Sequence, residues 1–424
     1  MPFIADLHVH SPYAMATSKY LSLASLYQWA RIKGIDVVGT GDFTHPAWFD
    51  NLKQNLVGDG SGLYRLKEPP HTSFIPEINP KPIDVRFCLS TEISCIYTHK
   101  KRVRKGHYLV YAPDLDTVEA INKQLSKIGN LAADGRPILG ISARNLLEVL
   151  LHISARIHLI PAHAWTPWFS IFGSKSGYDT IEDCFEDLSH HIFALETGLS
   201  SDPAMNWHIS ALDRYTMVSN SDAHSPQNLG REASLFSTSY SYDAIFEAIK
   251  TRKGFEGTLE FFPQEGKYHL DGHRVCKVCL TPAQTKAHQS ICPTCGKSVT
   301  VGVLHRVHAL ADRKKAKKPA DAPDFEYIVP LPEIIAEIVE KGVKTKAVEK
   351  VFVQTINRFG NEFYFLRKAL LHDISHYLGP VYSLAIDRLR KGLAKVAPGY
   401  DGQYGTVSLY PNSSKNATQL PLLR

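Results

Sequence analysis

The chain has 424 residues, enough for two or three domains, and 44% of them are hydrophobic, which is ample for packed cores. A formal net charge of +6 with 21% charged residues permits a polyanionic partner without requiring one. No run approaches the ~20 apolar residues of a membrane span, and the N-terminal stretch lacks the basic region and apolar core of a secretion signal; a cytoplasmic protein without membrane contact is expected.

In chain order, "FIADL" reads as a strand, "LASLYQWARIKG" as an amphipathic helix and "DVVGTGD" as a second strand. "RFCLSTE", "HYLVYAP", "IHLIPAH", "HIFALET" and "MVSNSDAH" continue the strand signal, with helical patterns between them. This alternation to about residue 262 predicts an α/β barrel or wound sheet. A cysteine-rich element follows over 263–312, then a basic, proline-containing linker over 313–324. Residues 325–400 carry helical periodicity with little strand signal, and 401–424 form a polar tail that closes on an apolar patch. No repeat of solenoid period occurs.

Chemistry-bearing residues recur where these strands end. His8 and His10, one residue apart, share one face of the first strand. "TGDFTHP" offers Asp42 and His45 after the second strand, and "LSTEIS" offers Glu92 after the third. His107 begins the next strand; His163 ends "IPAH"; Asp222 and His224 lie in "NSDAH". In α/β barrels the C-terminal rim gathers reactive side chains from distant parts of the chain, so this recurrence predicts a metal site. Imidazoles mixed with carboxylates suit zinc, manganese or iron ions that also carry water and phosphate oxygens. A carboxylate such as Glu92 can bridge two ions, and paired divalent ions hydrolyse phosphoesters by activating water. No GxSxG and no Walker GxxxxGK[ST] is present, so neither serine-hydrolase chemistry nor ATP-driven work is expected.

Of the seven cysteines, Cys88, Cys95 and Cys184 read as packing residues. Cys276 with Cys279, and Cys292 with Cys295, form two CxxC knuckles, the pattern of one structural zinc ion. Five basic residues fall in the six positions 313–318, with further basic stretches at 99–107 and 387–395. Lys100, Lys101, Arg102, Arg104 and Lys105 lie directly against His107, where positive charge steers a phosphate backbone.

The motifs "ADLHVHS", "GTGDFTHP", "STEIS", "GHYLVYA", "IPAHAW" and "NSDAH" resemble the polymerase and histidinol phosphatase (PHP) superfamily. The resemblance implies a distorted (β/α)7 barrel with two or three catalytic zinc, manganese or magnesium ions. Carried over, His8, His10, Glu92 and Asp222 would hold one ion, and Glu92, His107 and His163 a second. His45 and His224 would serve a third, and Asp42 would bind metal or orient a histidine. "SPYAMATSKY" lacks the further histidine that some relatives place there.

With the cysteine element, the helical domain and the stretches "SPYAMATSK", "ETGLSSDPAMNW", "GVLHRVHALADR" and "PGYDGQYG", the whole chain resembles the endonuclease Q family. That resemblance implies a DNA repair endonuclease, nucleoid-associated, acting on double- and single-stranded DNA. Cleavage would fall 5′ to a deaminated base (hypoxanthine, uracil, xanthine) or an abasic site. The loop "WTPWFSIFGSKSGYD" offers Trp165, Trp168, Phe169 and Phe172, with Lys175, to a base leaving the stack. Gln419, Leu420, Leu422 and Leu423 resemble the peptide that docks repair proteins on the sliding clamp. Two other classes fit fewer features: a metallophosphatase of small phosphoesters, and a non-catalytic helicase-associated DNA-binding factor.

Overall fold

Strand β1 (Phe3–Asp6) is followed by a helix, Leu23–Lys33, that begins at a reciprocal cap in which Ser25 N donates to Ser22 Oγ and Ser22 N donates to Ser25 Oγ. Gly34 (φ 90) ends the helix in the left-handed conformation. Leu23, Leu26 and Ala30 bury one face against the sheet. This computed structural model describes residues 2–70 and 74–410, and the proposed clamp peptide, Gln419 to Leu423, lies outside the described residues.

The sheet continues through β2 (Val37–Gly39), β3 (Leu56–Gly58), β4 (Tyr64–Leu66), β5 (Arg86–His99), β6 (Arg102–Ala112), β7 (Ile138–Leu139) and β8 (His158–Pro161). β1, β2 and β5 run parallel; β5 and β6 form a long antiparallel hairpin from Leu89↔Ala112 to His99↔Arg102, and β6 pairs with β8. A parallel pair, β9 (Ala194–Glu196) and β10 (Thr216–Val218), comes next. On the other flank β11 (Ala233–Phe236) lies antiparallel to β1, and β12 (Phe255–Glu260) antiparallel to β11. The fold is mixed α/β, as the alternating pattern predicts.

Two expected strand limits are corrected. Glu92, expected after its strand, lies inside β5, and His107, expected to begin its strand, lies in the middle of β6. Ile93, Ile96, Tyr97 and Thr98 favour extended chain, so β5 runs on until Lys100 and Lys101 turn it at φ 48 and 63.

The cysteine element carries the hairpin β13 (Asp271–His273) and β14 (Val278–Leu280). Beyond it the basic segment is tied to the first unit: Arg313 makes two bonds to the Asp213 carboxylate, Lys317 N donates to Trp207 O, and Lys318 pairs with Asp324. Residues 324–327, expected to divide between linker and helical domain, form β15 (Asp324–Tyr327), which joins the main sheet parallel to β12. Gly257 (φ 133) permits this pairing, because a Cβ there would collide with the Asp324 carbonyl oxygen. The helical unit then runs from Leu331 to Arg390. No helix among the described residues is long and apolar enough to cross a membrane.

Candidate metal centre

His8 and His10 follow β1 on a segment whose Val9 bridges Ala223, which brings Asp222 alongside them. His10 Nε2 lies 3.0 Å from Asp222 Oδ1 and 3.3 Å from Glu92 Oε2. His8 Nε2 lies 3.4 Å from Asp222 Oδ1 and 3.7 Å from Glu92 Oε2. The other Glu92 oxygen, Oε1, lies 2.8 Å from His107 Nδ1 and 3.0 Å from His163 Nε2. Two donor groups therefore share Glu92: His8, His10, Glu92 and Asp222 in one, and Glu92, His107 and His163 in the other. Within each, the donor atoms lie within 4.8 Å of one another.

A supporting layer fixes these side chains. Glu196 Oε1 lies 3.0 Å from His8 Nδ1, and its Oε2 accepts from His163 N at 2.8 Å. Asp42 Oδ1 lies 3.0 Å from His10 Nδ1, and its Oδ2 accepts from Ser11 N. A carboxylate behind an imidazole turns the free ring nitrogen towards the ion. Arg136 donates to Glu92 Oε2 at 2.9 Å. Asp42, His163 and Asp222 take φ of 46, 29 and 48, a left-handed backbone that non-glycine residues adopt at a cost.

Burial disfavours charge on His8 and His10, but carboxylates outweigh it: Glu196 and Asp222 at His8, and Asp42 and Asp222 at His10. Both pKa values stand well above the ordinary range. Glu92 is likewise buried, yet His107 and Arg136 hold its carboxyl well below the usual value. Burial lowers His107 to about 4, against the opposing pull of Glu92. His8 Nε2 is buried without a hydrogen-bond partner and faces the first group. An orphaned imidazole nitrogen among carboxylate oxygens fits a divalent cation.

His45 and His224 are not gathered with a third donor among the described residues. His45 stacks on Tyr13, with ring centres 4.2 Å apart, and the His224 ring lies tilted against His10 with centres 4.4 Å apart. Asp42 lies outside both groups and acts on His10. Glu196 escaped the sequence reading although "HIFALET" marks it at a strand end, the same signal that marks the donor residues. Arg136 sits in the loop "DGRP", which carries no such signal.

A cavity of about 380 Å³ opens beside His107 and His163, lined also by Trp168, Phe169, Tyr268 and Tyr404. The loop aromatics divide between two roles. Phe169 lies 4.8 Å from the His107 ring and Trp168 lies 5.2 Å from Tyr268, both at the cavity. Trp165 and Phe172, expected to stack on bases, are core instead: their rings pack 4.8 Å apart and Trp165 Nε1 donates to Asn206. Lys105 Nζ lies 5.3 Å from the Phe169 ring centre, and Arg104 is held over Tyr178 at 4.0 Å. Lys100, Lys101, Arg102 and Lys175 are exposed.

In the cysteine element, Cys276, Cys292 and Cys295 gather with His273. Cys279 is absent from this group because it lies in β14 opposite Gly272, beyond the turn that carries Cys276. Three thiols and one imidazole match a tetrahedral zinc site.

A family model for the MJ0043 C-terminal domain matches residues 330–393. The MJ0043 protein of Methanocaldococcus jannaschii is 33% identical over 267 residues, 61% of this chain, and the match spans only 32% of that protein's length. The YqxK protein of Bacillus subtilis is 27% identical over 95% of this chain and 98% of its own. Among solved structures, the lesion-specific endonuclease PfuEndoQ from Pyrococcus furiosus superposes with a TM-score of 0.83 at 30% identity, over 96% of this chain and 95% of that one. Endonuclease Q in complex with a 27-mer duplex substrate, an abasic lesion at its active site, gives the same TM-score and identity over 98% and 99%. With 30% identity and a shared fold over nearly the full length of both chains, this protein belongs to the endonuclease Q family.

Proposed function

We propose that the protein is a metal-dependent DNA repair endonuclease that hydrolyses the phosphodiester 5′ to a deaminated base or an abasic site. The observation that carries this reading is the pair of donor groups sharing Glu92 beside a cavity of about 380 Å³ lined by His107, His163 and Asp222. Full-length likeness to lesion-specific endonuclease Q structures supports it. The PHP-type barrel belongs to the same proposal. Its closure is supported by Ala164 N donating to Glu196 O at 2.9 Å beyond β8, and by Ser219 N donating to Ser234 Oγ at 3.1 Å between β10 and β11.

His8, His10, Glu92 and Asp222 would hold one divalent ion, and Glu92, His107 and His163 a second. Ions held there would supply a lowered pKa for bound water and charge stabilisation for an in-line displacement. Glu196 and Asp42 orient His8 and His10, while Arg136 offsets part of the carboxylate charge at Glu92. Lys105 and the exposed Lys100, Lys101 and Arg102 draw the DNA backbone towards the site, and Trp168 and Phe169 contact the extruded nucleotide. Cys276, Cys292, Cys295 and His273 would hold a structural zinc ion. The Gln-Leu-x-Leu-Leu spacing at 419–423 supports docking on the sliding clamp.

The test uses the full chain, manganese or magnesium, and labelled duplexes carrying one uracil, hypoxanthine or abasic site. A nick on the 5′ side of the lesion, absent from undamaged duplex, is expected. Phosphate release from small esters without nicking would overturn the proposal in favour of a metallophosphatase.

A further inference from the structure

Residues 11–20 leave the donor His10 and return beside His224, whose carbonyl accepts from Ser18 N at 2.8 Å. The loop is held at several more points. Gly135 N donates to Tyr13 O at 2.9 Å, Met15 N donates to Asp134 Oδ2 at 3.1 Å, and Thr17 Oγ1 donates to Ala14 O at 2.6 Å. On this fixed frame, large apolar side chains face solvent: Met15 is 70% exposed, Tyr20 69% and Tyr13 43%. Tyr13 leans on His45, and Lys19 Nζ lies 5.3 Å from the Tyr20 ring centre, placing a cation beside the apolar surface.

The place of this loop gives its exposure a meaning. Glu92 Oε1 faces His107 and His163 on the cavity side, while Oε2 faces His8 and His10 on the loop side. A phosphodiester at Glu92 therefore has the nucleobase cavity on one flank and the apolar loop on the other. Extruding a nucleotide leaves a gap in the stack and unstacks its neighbours, a cost that inserted apolar side chains offset. Methionine suits such a gap because it is unbranched and adaptable, and tyrosine because its ring stacks on any base.

We propose that Met15 and Tyr20 form a wedge that enters duplex DNA next to the extruded nucleotide and stacks on the base pairs flanking the scissile phosphate, with Lys19 on the adjoining backbone. This rests on the lesion-endonuclease reading and adds the residues that open the duplex. They are positioning residues and do not touch the reacting atoms.

The experiment compares wild type with Met15→Ser, Tyr20→Ser and the double variant, as full-length protein with manganese. Substrates are a duplex carrying one abasic site, the same lesion strand alone, and a duplex unpaired around the lesion. The double variant should nick the paired duplex at least about tenfold more slowly than wild type, yet remain within about twofold on the single strand and the unpaired duplex. A 2-aminopurine beside the lesion should brighten when wild type binds and stay dim with the double variant. Equal losses on all three substrates, or no loss on the paired duplex, would overturn the wedge. Absence of lesion nicking by the wild type overturns the function itself, a distinct result, since the substrate ratio is then undefined for every protein in the set.

Discussion

Lys33 Nζ lies 2.8 Å from Glu362 Oε2, and both side chains are 2% exposed. The pair joins the Leu23–Lys33 helix of the α/β unit to the Glu362–Arg367 helix of the helical unit. Glu362 Oε1 also accepts from Leu331 N, so one carboxylate fixes both the docking of the helical unit and the start of its first helix. Removing one member of a buried pair leaves an uncompensated charge, at a cost of about 3–5 kcal/mol. Glu362→Ala should destabilise by that order in denaturant titration, whereas a combined Lys33→Met and Glu362→Gln replacement should recover most of the loss.

At the metal centre, His8→Ala or Asp222→Ala should abolish nicking, by roughly 1000-fold or more, while lesion-DNA affinity in a shift assay remains measurable. Glu196→Gln should instead weaken metal affinity roughly 10–100-fold, with activity restored by excess manganese, because Glu196 acts through His8. Normal cutting by the His8 or Asp222 variant would refute the ligand assignment.

The loop aromatics should separate cleanly. Trp165→Ala empties a core position and should cost about 3–5 kcal/mol of stability. Trp168, 39% exposed at the cavity, should tolerate alanine with a melting temperature near wild type but reduced cutting of lesion DNA. Thermal melts run beside nicking assays decide this.

Zinc content checks the cysteine element. Cys292→Ser should lose the structural ion and lower the melting temperature, since structural zinc contributes directly to folding. Cys279→Ser should retain zinc measured by a chelation assay; loss of the ion from that variant would restore Cys279 as a ligand.

Away from the donor groups, Glu260 and Glu232 are fully buried carboxyls. Burial pushes Glu260 up to about 8, and burial together with Glu260 pushes Glu232 well above the ordinary range. A raised folded-state pKa means that the folded protein binds protons the unfolded chain releases. The associated stability is full below the unfolded value of about 4.5 and is lost as pH rises towards 8. Denaturation across pH 5–8 should show this decline, on the order of a few kcal/mol, and Glu260→Gln should flatten it.

Much of the candidate metal centre was legible because its donor residues fall at or near strand junctions with distinctive types, as in "HVH" and "SDAH". What periodicity hid was continuity. β5 and β6 run through Glu92 and His107, since a β-rich stretch does not announce where a ligand interrupts it. Arg136 was illegible for a different reason, being brought to Glu92 by tertiary packing across 44 positions. The split between Trp165 and Trp168 was equally closed to sequence, because two residues three apart in a loop take opposite sides only once the backbone path is fixed.

β15 covers the free edge of β12 only after the chain has passed through the whole cysteine element and the Arg313–Lys318 segment. Ribosomal synthesis therefore leaves that edge bare until about residue 327 emerges, and an N-terminal fragment ending at residue 262 keeps it bare permanently. An uncovered edge strand invites intermolecular pairing. The nuclease unit is thus completed by residues far beyond its apparent boundary, and proteolytic separation of the units should yield an aggregating fragment rather than a smaller working enzyme.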